Sequence, residues 1–551
     1  MAYHNSYRGS FLFDDQRFID NPRIHHLWPP DLLFYSTRPL TNLTFALNYT
    51  FAGRRVLDYH VVNLALHLLA GLALYGLLRR TLRSPLLAFR YDPQAQWLAF
   101  VVAALWVIHP LQTSSVDYLI QRAEVLMGLF YLLTLYCVVR SQQDTHPTRW
   151  EAAAIGMGTL GVLSKPIIVT VPIVAFLFDR VFFYPSLGEA VRRRWRLYAG
   201  LAASWILLAI LVTRPNESTT TSGFSLRTVS PLQYLATQPL VILYYLKLSL
   251  WPHPLCLDYQ WPMVKEVSTA LPAVLVIVVL IGMTIWAWRR SPALGFLGAW
   301  FFLILAPTSS FIPLEDPAFE HRMYLPLAAI ISLIVAGMWN GIRRLTTQPQ
   351  HQARTAFGVA AIVAFLFTGM TIQRNKEYQD PVTIWRQVIA QRPDGVRGYT
   401  NLAAALIDAG RYDEARRVLR EALRLDPDEA EAHYNIGVIL IRQKHFEEAI
   451  SYLRESIRLN PNDPETHYNL GIALAELGKF DGAIKEFEQA IQLRPDYTEA
   501  LNNLGTVLIW RGRYQEAIPY LERAQRFAPQ LEDARFNLDL ARRQLKKLRP
   551  Q

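Results

Sequence analysis

The sequence predicts an all-α protein in two parts: a polytopic transmembrane helical body, then an α-solenoid of short repeats. Three observations predict it. From about residue 59 to 372, apolar runs alternate with short arginine-bearing loops. From about 374 onward the chain is charged and helix-favouring. In that second part prolines return at 393, 427, 461, 495 and 529, always 34 apart.

At 551 residues the chain has room for several domains. Its formal charge of +11 is carried largely by arginines in short loops between apolar runs, the bias of cytoplasmic loops. No basic stripe with interleaved aromatics appears, which excludes a nucleic-acid partner. Cys137 lies in an apolar run and Cys256 in a loop, so neither a disulfide framework nor a metal-ligand spacing is present.

Crossing the hydrocarbon takes about 20 mostly apolar residues. Candidate spans are 59–78, 96–109, 118–139, 152–164, 166–183, 197–213, 271–288, 294–312, 323–340 and 355–372. Ser164-Lys165-Pro166 breaks one apolar run into two helices meeting at a turn. With 79–95 placed inside, the inner loops carry sixteen arginines, Arg194 and Arg180 among them; the outer short loops carry five cations, Lys165, Arg214, Arg227, Lys265 and Arg322. This orientation requires 233–250 to be re-entrant or interfacial. Residues 1–58 and everything after 373 then lie outside. Tyr3-His4-Asn5-Ser6 reads as the tail of a missing first helix, an expectation that mapping the translation start would test. The domains expected are an outer loop over 1–58, a membrane domain over 59–372, a linker helix over 373–395 and the repeats over 396–551.

In phase with the prolines run Asn401, Asn435, Asn469, Asn503 and Asn537, and the small residues Ala403, Gly437, Gly471 and Gly505. Ala415, Ala449, Ala483 and Ala517 keep the same register. This is the 34-residue tetratricopeptide period, with small residues where the two helices of a repeat touch. Four full repeats and a terminal helix are expected.

The chemistry gathers on the outer face. Asp14, Asp15 and Arg38 come from the first loop; His109, Gln112, Arg122 and Glu124 from HPLQTSSVDYLIQRAEVL; Lys165 from LSKP; Asp258 from LWPHPLCLDY; Glu320, His321, Arg322 and Tyr324 from DPAFEHRMYLP. Ionisable residues at membrane depth are costly and normally line a cavity or pathway. A lipid-linked phosphosugar suits such a set. Its phosphate would be held by Arg and Lys as charge-assisted donors, which would also stabilise the charge left when the sugar departs. A carboxylate would take the proton of an incoming hydroxyl.

FLFDDQRFIDNP with RPLTNLTFALNY, the HP…QRAE segment, LSKPIIVTVP, LWPHPLCLDY and EHRMYLP, in that order and ahead of the repeats, resemble the multi-spanning glycosyltransferases with C-terminal tetratricopeptide repeats. Eukaryotic members resemble protein O-mannosyltransferases of the GT-C fold. The resemblance implies a GT-C-like membrane domain, a polyprenyl- or dolichyl-phosphate sugar donor and a Ser/Thr hydroxyl as acceptor on the non-cytoplasmic face. It implies that Asp14 is the base and Asp15 its neighbour. Arg322, Lys165, Arg38 and Arg122 are the candidates for the donor phosphate. His109, Glu124, Glu320, His321, Tyr324 and Asp258 are further site candidates. Ser114 and Pro166 stand where many relatives carry Glu, which leaves the donor sugar open. No cofactor is expected, although the acidic pair offers two carboxylates to a divalent ion. The five asparagines, projecting into the concave groove, would hold an extended polypeptide through its backbone. A bacterial inner membrane is the expected location, with the repeats on the non-cytoplasmic side.

Simpler roles stand beside these. The acidic pair can cap a helix, His109-Pro110 can cap a span, Lys165 can snorkel to headgroups, and the asparagines can bond within the repeats. A non-enzymatic scaffold of an envelope or polysaccharide-export complex, or an oligosaccharide transferase or ligase, are the alternative functions.

Overall fold

The computed structural model describes residues 2–12, 14–19, 24, 36–213 and 229–548. It contains two compact units, Met1–Ile384 and Trp385–Gln551. Arg214 and Arg227, used in the loop count, lie outside the described residues, as does the Asp14 side chain.

The first unit is built from α1 (Asp14–Ile19), α2 (Pro39–Ala52), α3 (Val56–Thr81), α4 (Ala95–Ile108), α5 (Arg122–Ser141), α6 (Pro147–Val162), α7 (Val171–Phe182), α8 (Leu187–Val212), α9 (Pro231–Leu250), α10 (Val267–Arg290), α11 (Pro292–Leu305), α12 (Pro326–Leu345) and α13 (Pro349–Glu377), with short turns of helix between them. Proline opens α2, α6, α9, α11, α12 and α13. At the first helical position its missing N–H costs nothing and its fixed φ is already helical. Ser230 and Gln233 complete a capping box on α9.

Among the described residues six helices are long and apolar enough to cross a bilayer: Val56–Thr81, Leu119–Ser141, Leu187–Val212, Val267–Arg290, Pro326–Leu345 and Pro349–Glu377. A bent pair, Ala88–Ile108 with Pro110–Val116, adds a seventh if it is one span. The remaining expected spans are shorter helices: α6, α7 and α11 have 16, 12 and 14 residues. The segment expected to be re-entrant or interfacial, 233–250, lies within one continuous 20-residue helix, α9, that includes Pro239.

Burial sorts centre from rim. The most apolar stretch of Leu119–Ser141 is 83% buried by protein, against 11% for those of Val267–Arg290 and Pro349–Glu377. Helix α5 is therefore the hub, and α10 and α13 turn Leu, Val and Ile side chains outward, as lipid-facing surfaces do. Gly128 in α5 lies so close to Tyr324 that an added Cβ would sit 2.4 Å from its ring.

One arginine assigned to the inner loops is not a loop charge. Arg194 is 4% exposed and bonds Asp179 at 2.6 Å and Glu151 at 3.1 Å. The backbone of α8 leaves helical geometry at this residue. Tyr198 and Gln142 complete the shell around Asp179. This network joins α5, α6, α7 and α8 at the end of α5 opposite Arg122. A positive-inside count sees only the sign of such a residue, not its partner.

The second unit contains α14 (Pro381–Gln391), whose first residues belong to unit one, then the pairs α15 (Val396–Asp408) and α16 (Tyr412–Leu425), α17 (Ala430–Arg442) and α18 (Phe446–Leu459), α19 (Pro464–Glu476) and α20 (Phe480–Leu493), α21 (Thr498–Trp510) and α22 (Tyr514–Phe527), and a final α23 (Glu532–Leu548). The four pairs and terminal helix match the expected repeats. A Cβ on Gly437, Gly471 or Gly505 would come within 2.7, 2.7 or 2.5 Å of Leu453, Phe487 or Leu521, each on the second helix of its own repeat. Small residues recur every 34 positions because the helices touch there.

Candidate functional site

The N-terminal ends of α2, α5 and the turn before α7 converge. Leu40 N–H donates to the Leu163 carbonyl at 3.0 Å, and the Thr41 hydroxyl to that of Ser164, also at 3.0 Å. These bonds bring Arg38, one residue before α2, against the Ser164-Lys165-Pro166 turn. From α5, Glu124 accepts from Lys165 Nζ at 2.5 Å, with the two side chains 3% and 9% exposed.

Arg322 arrives from a 3-10 turn, Glu320–Met323, just ahead of α12. Its guanidinium donates to the carbonyls of Asp316 at 2.6 Å and Pro317. Lys165 and His321 interact electrostatically with Arg38 and Arg322, and Glu124 is the counter-charge of Lys165 and Arg38. Burial, more than any other influence, lowers the pKa of the Lys165 ammonium; Glu124 opposes it, while Arg38 and Arg322 add to it. His321, stacked on Phe319, is driven well below its usual range by burial and then by Lys165, Arg322 and Arg38. Its Nδ1 has no hydrogen-bond partner among the described residues. The Arg38 side chain likewise makes no hydrogen bond or ion pair among them. Lys165 thus sits among Arg38, Arg322 and one buried carboxylate, Glu124, a cluster of net positive charge in which the Arg38 guanidinium keeps its donors free. This is the electrostatics of an anion site.

The Asp15 carboxylate is 1% exposed. It accepts backbone N–H bonds from Leu12 at 3.1 Å, Leu119 at 3.4 Å and Ile120 at 2.7 Å. Asp15 therefore pins the first loop onto the turn that leads into α5. Asp15 also interacts electrostatically with Arg122.

Arg122, proposed from sequence for the phosphate, is used inside the protein. Its Nε donates to Asn63 at 2.6 Å, and its terminal nitrogens to the carbonyls of Thr44 at 3.2 Å and Tyr59 at 3.3 Å. Phe45 lies 4.0 Å beneath it in cation–π contact. It is a fully buried bolt between α2, α3 and α5. His109 caps a turn, accepting from Leu111 N–H at 3.2 Å, with its other nitrogen on the Ser249 carbonyl at 3.2 Å. The Tyr324 hydroxyl meets His67 at 2.9 Å in the core, and the Gln112 amide donates to the Tyr324 carbonyl at 3.3 Å. Asp258 is buried and accepts from Gln260 N–H at 3.2 Å.

Glu320 joins a second polar cluster. Its Oε1 accepts from Cys256 N–H at 2.6 Å and the Tyr259 hydroxyl at 2.8 Å, with Arg374 at 3.8 Å. Arg374 also pairs with Glu377 at 2.6 Å and interacts with Asp117, a carboxylate 1% exposed with no hydrogen bond to either oxygen among the described residues. Neither Arg374 nor Asp117 is among the residues that the sequence marks for the site. Arg374 lies just past the expected last span, 355–372, where a charge looks solvated. The signal was Asp117 itself, a charge inside the polar turn QTSSVDY. Next to this cluster the N-terminal segment is tied down. Asn375 donates to the Ala2 carbonyl at 3.1 Å, Gln379 to that of Asn5 at 2.7 Å, and Ser10 N–H to that of Tyr378 at 3.3 Å.

In the repeats, the asparagine donors are largely spent internally. Asn469 and Asn503 donate to Tyr434 and Tyr468, each 35 residues back, at 3.3 and 3.1 Å. Asn537 donates to Asn502 and Thr506, both at 3.0 Å, and Asn401 to the Arg397 carbonyl at 2.8 Å. Asn435 is 5% exposed, and its Nδ2 has no hydrogen-bond partner among the described residues. The ladder first of all stitches repeat to repeat.

Comparison with known proteins agrees with both halves. Residues 400–464 and 468–532 match the tetratricopeptide-repeat family model. The chain is 25% identical over 488 residues to the mouse protein O-mannosyl-transferase TMTC4 and over 491 residues to the human one; these alignments cover 75% and 76% of this chain and 64% of each relative. The Caenorhabditis elegans protein O-mannosyl-transferase F38B6.6 is 24% identical over 76% of this chain and 60% of its own length. The chain thus spans somewhat less than two thirds of these relatives. Its C-terminal region is a tetratricopeptide-repeat array, and over three quarters of its length the chain is similar to protein O-mannosyl-transferases.

Proposed function

We infer that the protein is an integral-membrane, GT-C-like glycosyltransferase that moves a sugar, a mannose or other hexose, from a polyprenyl-phosphate donor to a Ser/Thr hydroxyl of a protein. The observation that carries this reading is the cluster of Arg38, Arg322 and the Lys165–Glu124 pair, assembled from four separate segments near the start of α5, where Asp15 pins the acidic loop. The names of the similar proteins support the reaction class.

In this mechanism the donor phosphate sits against Arg38, Lys165 and Arg322. Asp14 takes the proton from the acceptor hydroxyl. The hydroxyl oxygen bonds to the anomeric carbon as the bond from that carbon to the phosphate oxygen breaks, with inversion. The electron pair leaves with the polyprenyl phosphate, whose added negative charge the three cations stabilise. Asp15 positions the loop, and Arg122 holds the helices behind it. The chemistry lies on the non-cytoplasmic side of a bacterial inner membrane, and the repeats, on that side too, hold the polypeptide acceptor.

The test separates the two aspartates. Asp14→Asn abolishes transfer, read by mass spectrometry of acceptor glycans with lipid-linked sugars measured alongside, while the donor accumulates. A single added hexose separates this reading from oligosaccharide transfer, and an unmodified acceptor in the wild type favours a scaffold. Full transfer by the Asp14→Asn protein removes Asp14 as the base.

A further inference from the structure

Helix α8 changes character along its length. Its backbone leaves helical geometry at Arg194, with φ −132° and ψ 23°. The side chain of that residue is held by Asp179 and Glu151 and reaches the Val138 carbonyl and the Ser141 hydroxyl in the last turn of α5. Past Tyr198 the helix is apolar through Val212. Around the break it carries Arg192, Arg193, Arg194 and Arg196, too many charges for hydrocarbon.

Three faces surround the break. Ala190, Arg194 and Leu197, at steps of four and three, are buried against the body. Leu187, Val191 and Trp195, at steps of four, form a stripe beside them that is 45 to 58% exposed. Arg192, Arg193 and Arg196 are exposed on the remaining side. Glu189 is the one acidic residue between 186 and 196, and it pairs with Arg193 at 2.9 Å. Arg196 lies over the Trp195 ring at 5.7 Å, and Arg192 makes no ion pair among the described residues. The start of α8 shares a groove with Arg180 of α7 and Trp288 of α10. Arg289 and Arg290 follow Trp288 directly, both exposed.

We propose that residues 187–196 form an interfacial helix that binds anionic phospholipid at the bilayer surface, on the end of the bundle opposite Arg122. An exposed stripe of Leu, Val and Trp edged by arginines is the make-up of a helix lying in the headgroup layer. There a tryptophan ring sits at the level of the headgroups and a guanidinium meets phosphate. Charge complementarity selects the lipid. Arginines from α7, α8 and α10 gather round one exposed-side carboxylate, and a zwitterionic headgroup brings no net charge to offset them. The Arg194 network holds this helix against the body while its apolar stripe faces outward. The inference is independent of the sugar-transfer reading.

The experiment uses the full-length protein in phosphatidylcholine nanodiscs. A third of the lipid carries brominated acyl chains, either as phosphatidylglycerol or as phosphatidylcholine. The signal of Trp195 is the difference in fluorescence between the wild type and Trp195→Phe. Brominated phosphatidylglycerol should quench it at least threefold more than brominated phosphatidylcholine, and high salt should shrink the preference. Arg192→Gln, Arg193→Gln and Arg196→Gln together should remove the preference but keep the quenching by phosphatidylcholine, which shows that the helix still lies in the membrane. Arg192→Lys, Arg193→Lys and Arg196→Lys together should retain the preference. Arg343→Gln with Arg344→Gln, an exposed pair at the end of α12, is the control and should change nothing. Equal quenching of the wild type by the two lipids overturns the proposal. So does quenching by neither, which would mean that protein covers the stripe. A preference that survives the triple Gln exchange, or is lost equally in the control, also overturns it, as does one cancelled by inorganic phosphate at matched ionic strength, the mark of a free-anion site.

Discussion

Removing the carboxylate of Glu124 tests whether the cation pocket is a working site or a structural pair. Lys165 and Glu124 are 9% and 3% exposed and 2.5 Å apart. At that separation and an effective dielectric of about 20, their attraction is about 7 kcal/mol. Desolvation of both ions takes much of this back, so losing one partner is expected to cost about 3–5 kcal/mol, most of it the cost of a buried charge left unpaired. Glu124→Gln should therefore lower stability in detergent by that amount, as should Lys165→Met. The double variant Glu124→Leu with Lys165→Met should recover most of the loss, because two apolar side chains leave no orphan ion. Sugar transfer should not recover, since the donor phosphate has lost a cation. The assay is unfolding by denaturant in detergent, paired with transfer on the same preparations. A double variant that transfers at the wild-type rate refutes the phosphate role of Lys165. A Glu124→Gln protein destabilised by less than about 1 kcal/mol refutes the buried pair, because that is what an exposed pair contributes.

The other predictions follow from the same contacts. In Glu124→Gln, Lys165 loses the main influence raising its pKa while burial, Arg38 and Arg322 continue to lower it; binding of polyprenyl phosphate should fall away at a lower pH than in the wild type, by vesicle flotation across a pH series. Asp15→Ala leaves three backbone N–H groups without their acceptor, at about 1–3 kcal/mol each when buried; limited proteolysis should cut the first loop at least tenfold faster, and transfer should fall even though Asp14 is intact. Gly471→Val forces a side chain into the Phe487 ring, an overpacking cost of about 1–3 kcal/mol; hydrogen exchange should quicken in α19 and α20 while α3 and α5 keep their protection. Asn503→Ala breaks the bond to Tyr468, worth about 1 kcal/mol; loss of repeat stability without loss of peptide binding would mark the ladder as a stitch.

The sequence alone determined the class of both halves. Apolar runs of span length and a 34-residue repeat are local, periodic signals, and they survive because each helix must bury or expose a fixed face at a fixed period. The repeat boundaries were legible nearly to the residue, since Gly437, Gly471 and Gly505 mark helix contacts that permit no side chain. The polar residues of the site were legible as a set, because charge next to apolar spans is conspicuous. Their jobs were not. Arg122 and Lys165 look alike in sequence, yet Arg122 is buried on Asn63, Thr44 and Phe45, whereas Lys165 pairs with Glu124 beside Arg38 and Arg322. Asp14 and Asp15 look interchangeable, yet the Asp15 carboxylate is pinned by backbone N–H groups more than a hundred residues away. Arg194 reads as a loop charge and is the centre of a buried network. Only the tertiary structure decides such matters. The surroundings of a charged side chain are set by its partners, and those partners come from helices whose proximity no local pattern encodes.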